Sequence, residues 1–229
     1  MTDNEAQQVL DKIVAKVFGV KNPLSLEQFK NKFAFDLVLP TKVTDFTTGE
    51  DTWTRGASNA RYVKSDSPIL KEDLMEPRQE LKDLQQILAI WQKTNFTATE
   101  KQVDCLNISK SDGVSGCENV YMSLDYHGSK NVIFCDGGLS SEYIAACSRS
   151  NTLTNCIRVE GSKEVSNSFE VTWSGKITNS MFINNCYDMY ECIFCSHVSG
   201  KQFCIANVQL TEEEYFKLKP MIIDWVFNG

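Results

Sequence analysis

Nine cysteines, all at residue numbers divisible by three, constrain this chain more than any other feature: Cys105, Cys117, Cys135, Cys147, Cys156, Cys186, Cys192, Cys195 and Cys204. Chance alone gives that alignment roughly once in twenty thousand trials, so the chain contains a repeat. Every third residue from Cys105 to Leu210 gives 36 positions, which hold nine Cys, nine Ser, seven Val, four Ile and two Leu. No Asp, Glu, Arg or Pro stands among them, in a chain that is 23% charged. A register emptied of acids in this way is the inside of a structure.

A helix does not repeat every three residues, and a flat strand repeats every two. One inward residue followed by two outward ones therefore means a chain that bends at nearly every triplet. The strongest self-similarity is at twelve residues, where Ser129–Cys135 matches Cys117–Ser123. The expected fold class is mainly β: a narrow β-solenoid with about twelve residues and four inward side chains per coil. The alternation of small and branched residues is read as slipping once near Ser150 and resuming at Leu153. Residues 105–210 make about nine coils and a rod of roughly 40 Å at ~4.8 Å per rung. Small Cys and Ser side chains let the walls approach; a buried thiol behaves as a small hydrophobe, and a buried Ser can donate to a carbonyl of its own turn. Asn155, Asn167 and Asn179 would stack as an amide ladder.

The remainder divides into 1–104, a helical attachment and capping region, and 211–229, a C-terminal helical cap. Asn4–Val17 has helical spacing, with Leu10, Ile13, Val14 and Val17 on one side and Asp3 or Asn4 as its cap. Ser25 and Gln28 have capping-box spacing and open a second helix carrying Leu26, Phe29 and Phe33. A hairpin is expected near 35–54, from Phe35–Leu39 and Thr52–Thr54 around a turn at Thr47–Glu50. Residues 56–76 read as an extended linker. Arg78–Thr94, behind Pro77, reads as a helix whose Leu81, Leu84, Ile87, Leu88 and Trp91 pack on the next domain and cover the first coil, the alternative being docking to a partner chain. Thr211 caps a final helix whose Tyr215, Leu218, Ile222, Ile223, Trp225 and Val226 lie over the last coil, with Pro220 kinking or dividing it.

No run of some 18 apolar residues suits a membrane, and the polar, acidic N-terminus has no signal-peptide core. That implies cytoplasmic synthesis. Net charge of −7 without a Lys/Arg stripe argues against nucleic acid as a partner. An odd number of cysteines without a secretory signal points to reduced thiols.

Cys192, Cys195, His197 and Cys204, with Cys186 nearby, superficially resemble a zinc set. The cysteines lie on the inward register and His197 lies off it, so core packing is the better reading; no metal, other cofactor or catalytic residue is assigned. His127 and His197 are both outward. Gly137–Gly138 reads as a tight bend. The rod's acids (Glu118, Asp125, Asp136, Glu142, Glu160, Glu164 and Glu170) are scattered and name no glycosidase pair. One outward column is apolar: Ile157, Phe169, Met181, Ile193 and Ile205, spaced by twelve. A stripe of this kind is seldom left in water. The N-terminal helices, through Leu10, Ile13 and Val17, are its expected cover; the alternative is a partner chain or a second subunit.

The triplet spacing is similar to that of the twelve-residue solenoids of insect antifreeze proteins. Their regular outward Thr pairs are missing, since Thr152, Thr154, Thr172 and Thr178 form no such array, and ice binding is not implied. The stretch Cys186–Val226 resembles the ends of uncharacterised Cys-x-x-Cys repeat proteins of phage and small bacterial genomes. That resemblance covers about a fifth of the chain. It implies a solenoid with a C-terminal helix and a component of a virion or similar assembly. The expectation is a non-enzymatic structural or interaction protein with protein partners or self-association. A metal-binding or redox protein using the 186–204 cysteines is the alternative, and a polymer-acting enzyme on a solenoid scaffold the second.

Overall fold

The computed structural model describes residues 1–56 and 61–229. From Gln102 onward the chain winds into a β-solenoid of parallel coils, each pairing with the coil twelve residues away, as in Val120↔Val132 and Cys156↔Ser168. The coiling thus starts just ahead of Cys105. No slip interrupts it: Ser150, like Cys147 and Leu153 on either side, is fully buried on the register.

The corners have a single chemical origin. Every third residue from Asp104 to Ala206 is in the left-handed region, immediately before an inward residue. Glycine fills this place at Gly113, Gly116, Gly128, Gly137, Gly161 and Gly200; elsewhere it falls to residues as bulky as Phe134 and Trp173. A side chain in this conformation costs about 1–2 kcal/mol. The bonds between coils offset that cost, and they follow one rule. Beside each corner, one backbone N–H points to the coil ahead and the next to the coil behind, as in Glu118 N to Ser129 O and Met122 N to Ser109 O. Asn is the residue that best tolerates this region, and one corner column holds Asn107, Asn119, Asn131, Asn155, Asn167 and Asn179. The expected ladder forms between Asn155 and Asn167 at 2.9 Å. A second ladder, Asn107–Asn119–Asn131 at 2.8 and 3.0 Å, extends the same column.

Inside, the serines do more than donate to their own turn. Each of the nine gives its hydroxyl hydrogen to the carbonyl two residues back and accepts the amide of the residue twelve ahead; Ser162 does so with Glu160 O at 2.8 Å and Ser174 N at 3.0 Å. The hydroxyl is therefore an inter-coil clamp that satisfies a lumen-facing N–H. Cysteine occupies the same place with a weaker donor: Cys156 Sγ lies 3.3 Å from the Thr154 and Val165 carbonyls. Gly138 is a cavity rather than only a bend. A Cβ there would stand 2.8 Å from the ring of Tyr126, the one aromatic side chain in the lumen.

Two helices from opposite ends of the chain cover the rod's apolar stripe. α1 (Asp3–Phe18) is capped by Thr2 in a capping box with Glu5, not by Asp3 or Asn4, and α2 (Leu26–Phe33) is capped by Ser25 as expected. The stripe begins earlier than Ile157, at Tyr121, Ile133 and Ala145, and all of these are buried with Leu10, Ile13 and Val17 of α1. Phe35–Leu39 is not a strand, because Leu37 and Leu39 pack against this same core. The hairpin instead pairs β1 (Thr41–Thr44) with β2 (Asp51–Thr54).

β3 (Arg61–Lys64) pairs in parallel with β4 (Phe96–Thr99). The presumed linker 56–76 thus holds a strand and a short 3-10 turn, Pro68–Lys71; its residues 57–60 lie outside the described residues. α3 runs over Leu84–Thr94 only, because Asp83 and not Pro77 supplies the start, its carboxylate accepting the Gln86 amide at 2.8 Å. It buries no residue and does not cover the first coil. That end is held by the β1–β4 unit: Glu100 N donates to Trp53 O, Thr54 and the Lys101 amide donate to Asp112, and Arg55 pairs with Asp125 and Asp136.

α4 (Glu212–Asn228) is one helix that Pro220 does not divide. Tyr215 meets Phe203 of the last coil, but the helix then turns back along the rod, bringing Trp225 to Phe182 and Phe227 to Phe18. The end of the rod is closed by antiparallel pairing of Ser199–Ile205 with Val208–Gln209. Asn207 pairs its amide with both backbone groups of Ser196 at 3.0 Å, and Lys201 brings an exposed charge into the register. Both devices blunt a strand edge.

Candidate functional site

The stripe, for which a partner chain was the alternative cover, is buried within the chain: Ile157, Phe169, Met181 and Ile193 lie under α1 and α4, Ile205 is partly buried beside them, and Leu10, Ile13 and Val17 face them. What the packing of these helices leaves open is a cleft of about 290 Å³ between the end of α2, the end of α4 and the rod. Its aromatic lining is Phe33, Phe35, Phe169, Phe182 and Trp225. Phe182 stacks on Phe194 with centroids 4.5 Å apart, and Trp225 leans on both.

Arg158 forms the polar wall. Its guanidinium donates to Phe33 O at 2.7 Å, grips both oxygens of Asp36 at 3.0 and 3.1 Å, donates to Glu170 at 2.5 Å, and lies 5.0 Å from the Phe35 ring. Four of its five N–H donors are thus engaged inside the protein, and Lys32, whose Nζ donates to Phe227 O at 3.1 Å, adds a second cation at the edge of an otherwise largely aromatic lining. Such a surface suits an apolar side chain of a partner. The sequence carries a signal for it: in one corner column Arg158 and Glu170 stand between Met122, Phe134 and Ala146 on one side and Phe182 and Phe194 on the other.

The cysteine-rich end places Cys186, Cys192, Cys195 and Cys204 in the lumen, all buried and all free thiols. His197 is exposed on the outside. Among the described residues, no group of three or more His, Cys, Asp or Glu is arranged to hold a metal ion. The four thiols are not equivalent. A hydrogen bond from Cys192 holds the Cys195 thiol down to about 7, while the same bond and burial push Cys192 well up. His127 is exposed too, with Nδ1 2.6 Å from Ser115 Oγ.

Five of the seven acids named along the rod are tied to bases: Glu118 to Lys130, Glu160 to Arg149, Glu170 to Arg158, and Asp125 and Asp136 together to Arg55. Burial nevertheless raises the Asp136 carboxyl above the ordinary range.

The second open feature is α3. Leu84, Ile87, Leu88 and Trp91, with Leu81 just before them, are all exposed, Leu84 by 67% and Trp91 by 54%. Arg61 ties the end of this helix to β3 through the Gln92 and Lys93 carbonyls. The face expected to pack on the next domain is therefore left largely exposed within the described chain. No helix among the described residues is long and apolar enough to cross a membrane. No family model, no curated protein and no solved structure matches the chain.

Proposed function

We propose that this chain is a non-enzymatic structural or interaction protein, a clamped rod attached to a larger assembly through the arm that carries α3. The observation that carries this reading is the contrast among the helices. α1, α2 and α4 each bury apolar residues against the rod, whereas α3 has an equally apolar side and buries none of it. A contiguous exposed apolar face of this kind marks a contact with another macromolecule. The aromatic cleft beside Trp225 supplies a second contact point of the same chemistry. From the resemblance of Cys186–Val226, the assembly we propose is a phage particle.

Purified virions searched by mass spectrometry should contain the chain. Leu84→Glu with Trp91→Glu should leave its melting curve and circular dichroism unchanged and remove it from the particle. Absence of the chain from virions, or normal incorporation of the double variant, overturns the reading.

The metal or redox alternative draws support from the low Cys195 thiol, since a thiolate is the form that binds metals and attacks disulfides. Metal content separates the two. Protein purified without chelator and carrying stoichiometric zinc would replace the structural reading.

A further inference from the structure

The rod carries aromatic side chains outside the stripe that the helices cover. Trp173 and Tyr187 are exposed by 57% and 52%, on successive coils. Each ring lies beside a glycine of the coil behind, and that of Trp173 is laid flat on it. A Cβ at Gly161 would stand 2.8–3.1 Å from three atoms of the Trp173 six-membered ring, distances so similar that the ring must face it. A Cβ at Gly175 would stand 2.9 and 3.3 Å from two atoms of the Tyr187 ring. The Trp173 ring thus rests one π-face on glycine backbone and turns the other outward, while the Tyr187 ring meets Gly175 along one edge.

The surroundings select the ligand. Outward residues of these two faces between Arg149 and Asp188 include three bases (Arg149, Lys163, Lys176) and three acids (Glu160, Glu164, Asp188), so the surface is charge-balanced. Between them lie the hydroxyl and amides of Thr172, Asn184 and Asn185. Nucleic acid would need a net positive surface to exchange for its counterions. A protein interface needs an apolar centre and about 800 Å² per partner, and two separate rings among polar groups do not make one. A molecule with uncharged hydroxyl edges and apolar C–H faces meets both requirements of the surface. Successive coils repeat every ~4.8 Å, close to the length of one pyranose unit.

We propose that the faces bearing Trp173 and Tyr187 bind an uncharged polysaccharide, with a pyranose ring stacked on each aromatic ring and its hydroxyls hydrogen-bonded to Thr172, Asn184 and Asn185. This binding is independent of the α3 attachment, and the Leu84→Glu/Trp91→Glu variant retains it.

The test is affinity electrophoresis of the full chain in gels containing hydroxyethyl cellulose, xyloglucan, galactomannan or dextran, with alginate as the anionic comparison. Retardation is expected in at least one neutral gel. Trp173→Asn suits the left-handed backbone at that position and so keeps the fold, which its melting temperature checks. It should weaken binding about tenfold, the loss of one aromatic contact worth about 1.4 kcal/mol. Tyr187→Ser should weaken it less, and Trp173→Tyr should restore part of it. No retardation in any neutral gel, retardation in alginate alone, or undiminished retardation of a folded Trp173→Asn/Tyr187→Ser variant overturns the proposal.

Discussion

Phe18, the last residue of α1, and Phe227, near the end of α4, meet edge to face with ring centroids 5.1 Å apart. Phe18 also packs 5.1 Å from Phe169 of the rod, and Phe33 of α2 lies against both Phe169 and Phe227. Helices from the two ends of the chain therefore join over one point of the stripe, and the rod is clasped rather than capped. Phe18→Ala should cost about 3–5 kcal/mol, as for other large buried aromatics. Because the ring is shared, hydrogen exchange should rise in both α1 and α4. Exchange confined to α1 would refute the joint.

In the lumen, cysteine and serine are interchangeable only in one direction of reasoning, that of hydrogen bonding. Cys156→Ser should stay within about 1 kcal/mol of the parent, because the hydroxyl can take the carbonyl of Thr154 and offer an acceptor to the Ser168 amide, as its neighbours do. Ser162→Ala should cost more, about 1–3 kcal/mol, since it strands the buried Ser174 N–H. Denaturant melts of both variants decide the matter; a Cys156→Ser loss larger than that of Ser162→Ala would be against it.

The solenoid was legible because a lumen four residues around imposes composition on every third position, and no other part of the fold leaves so regular a trace. The helical cover of the stripe was legible for a related reason: Leu10, Ile13 and Val17 and the column at Ile157 each declare an apolar face needing a partner. Three things were not. The true first strand of the hairpin, Thr41–Thr44, is mostly polar and exposed at all but Val43, while Phe35–Leu39 looked like a strand because its apolar residues serve the helix–rod core. α4 was expected on the end of the rod, but sequence spacing says which side of a helix is apolar and not which surface receives it. The aromatic cleft and the Trp173–Gly161 stacking join residues twelve or more apart, and only the coil geometry brings them together.

Tyr126 brings a hydroxyl into the lumen that lies near the Cys135 and Cys147 thiols and has no hydrogen-bond partner. A buried polar group left unsatisfied costs about 1–3 kcal/mol. Tyr126→Phe should therefore raise stability by about 1 kcal/mol, read as a higher melting temperature. Gly138→Ala should lower it, because the new methyl would enter the space of the ring and of the Ser150 carbonyl, 2.5 Å away. A Tyr126→Phe variant less stable than the parent would mean that the hydroxyl is bonded.

Acid should open the clasp before it disturbs the rod. Asp3 at the start of α1 is held below the usual carboxylate range by hydrogen bonds from Lys110 and Tyr121, the latter at 2.8 Å. Asp36, just past α2, is lowered as well: burial opposes ionisation, but the hydrogen bonds and charge of Arg158 outweigh it. A carboxyl whose pKa is lower in the folded state contributes stability above its unfolded value, near 3.9, and loses it as pH falls through the folded value. Both are partly exposed, so each contact is worth at most about 1 kcal/mol. The lumen register from Cys105 to Leu210 holds no carboxylate, so its hydrogen bonds have nothing to lose over that range. Hydrogen exchange compared at pH 6 and pH 3, corrected for intrinsic rates, should show α1 and the segment after α2 losing protection at the lower pH while the coils around Val159 and Val171 keep theirs. Asp36→Asn should remove part of the difference, and equal loss of protection in rod and helices would contradict the assignment.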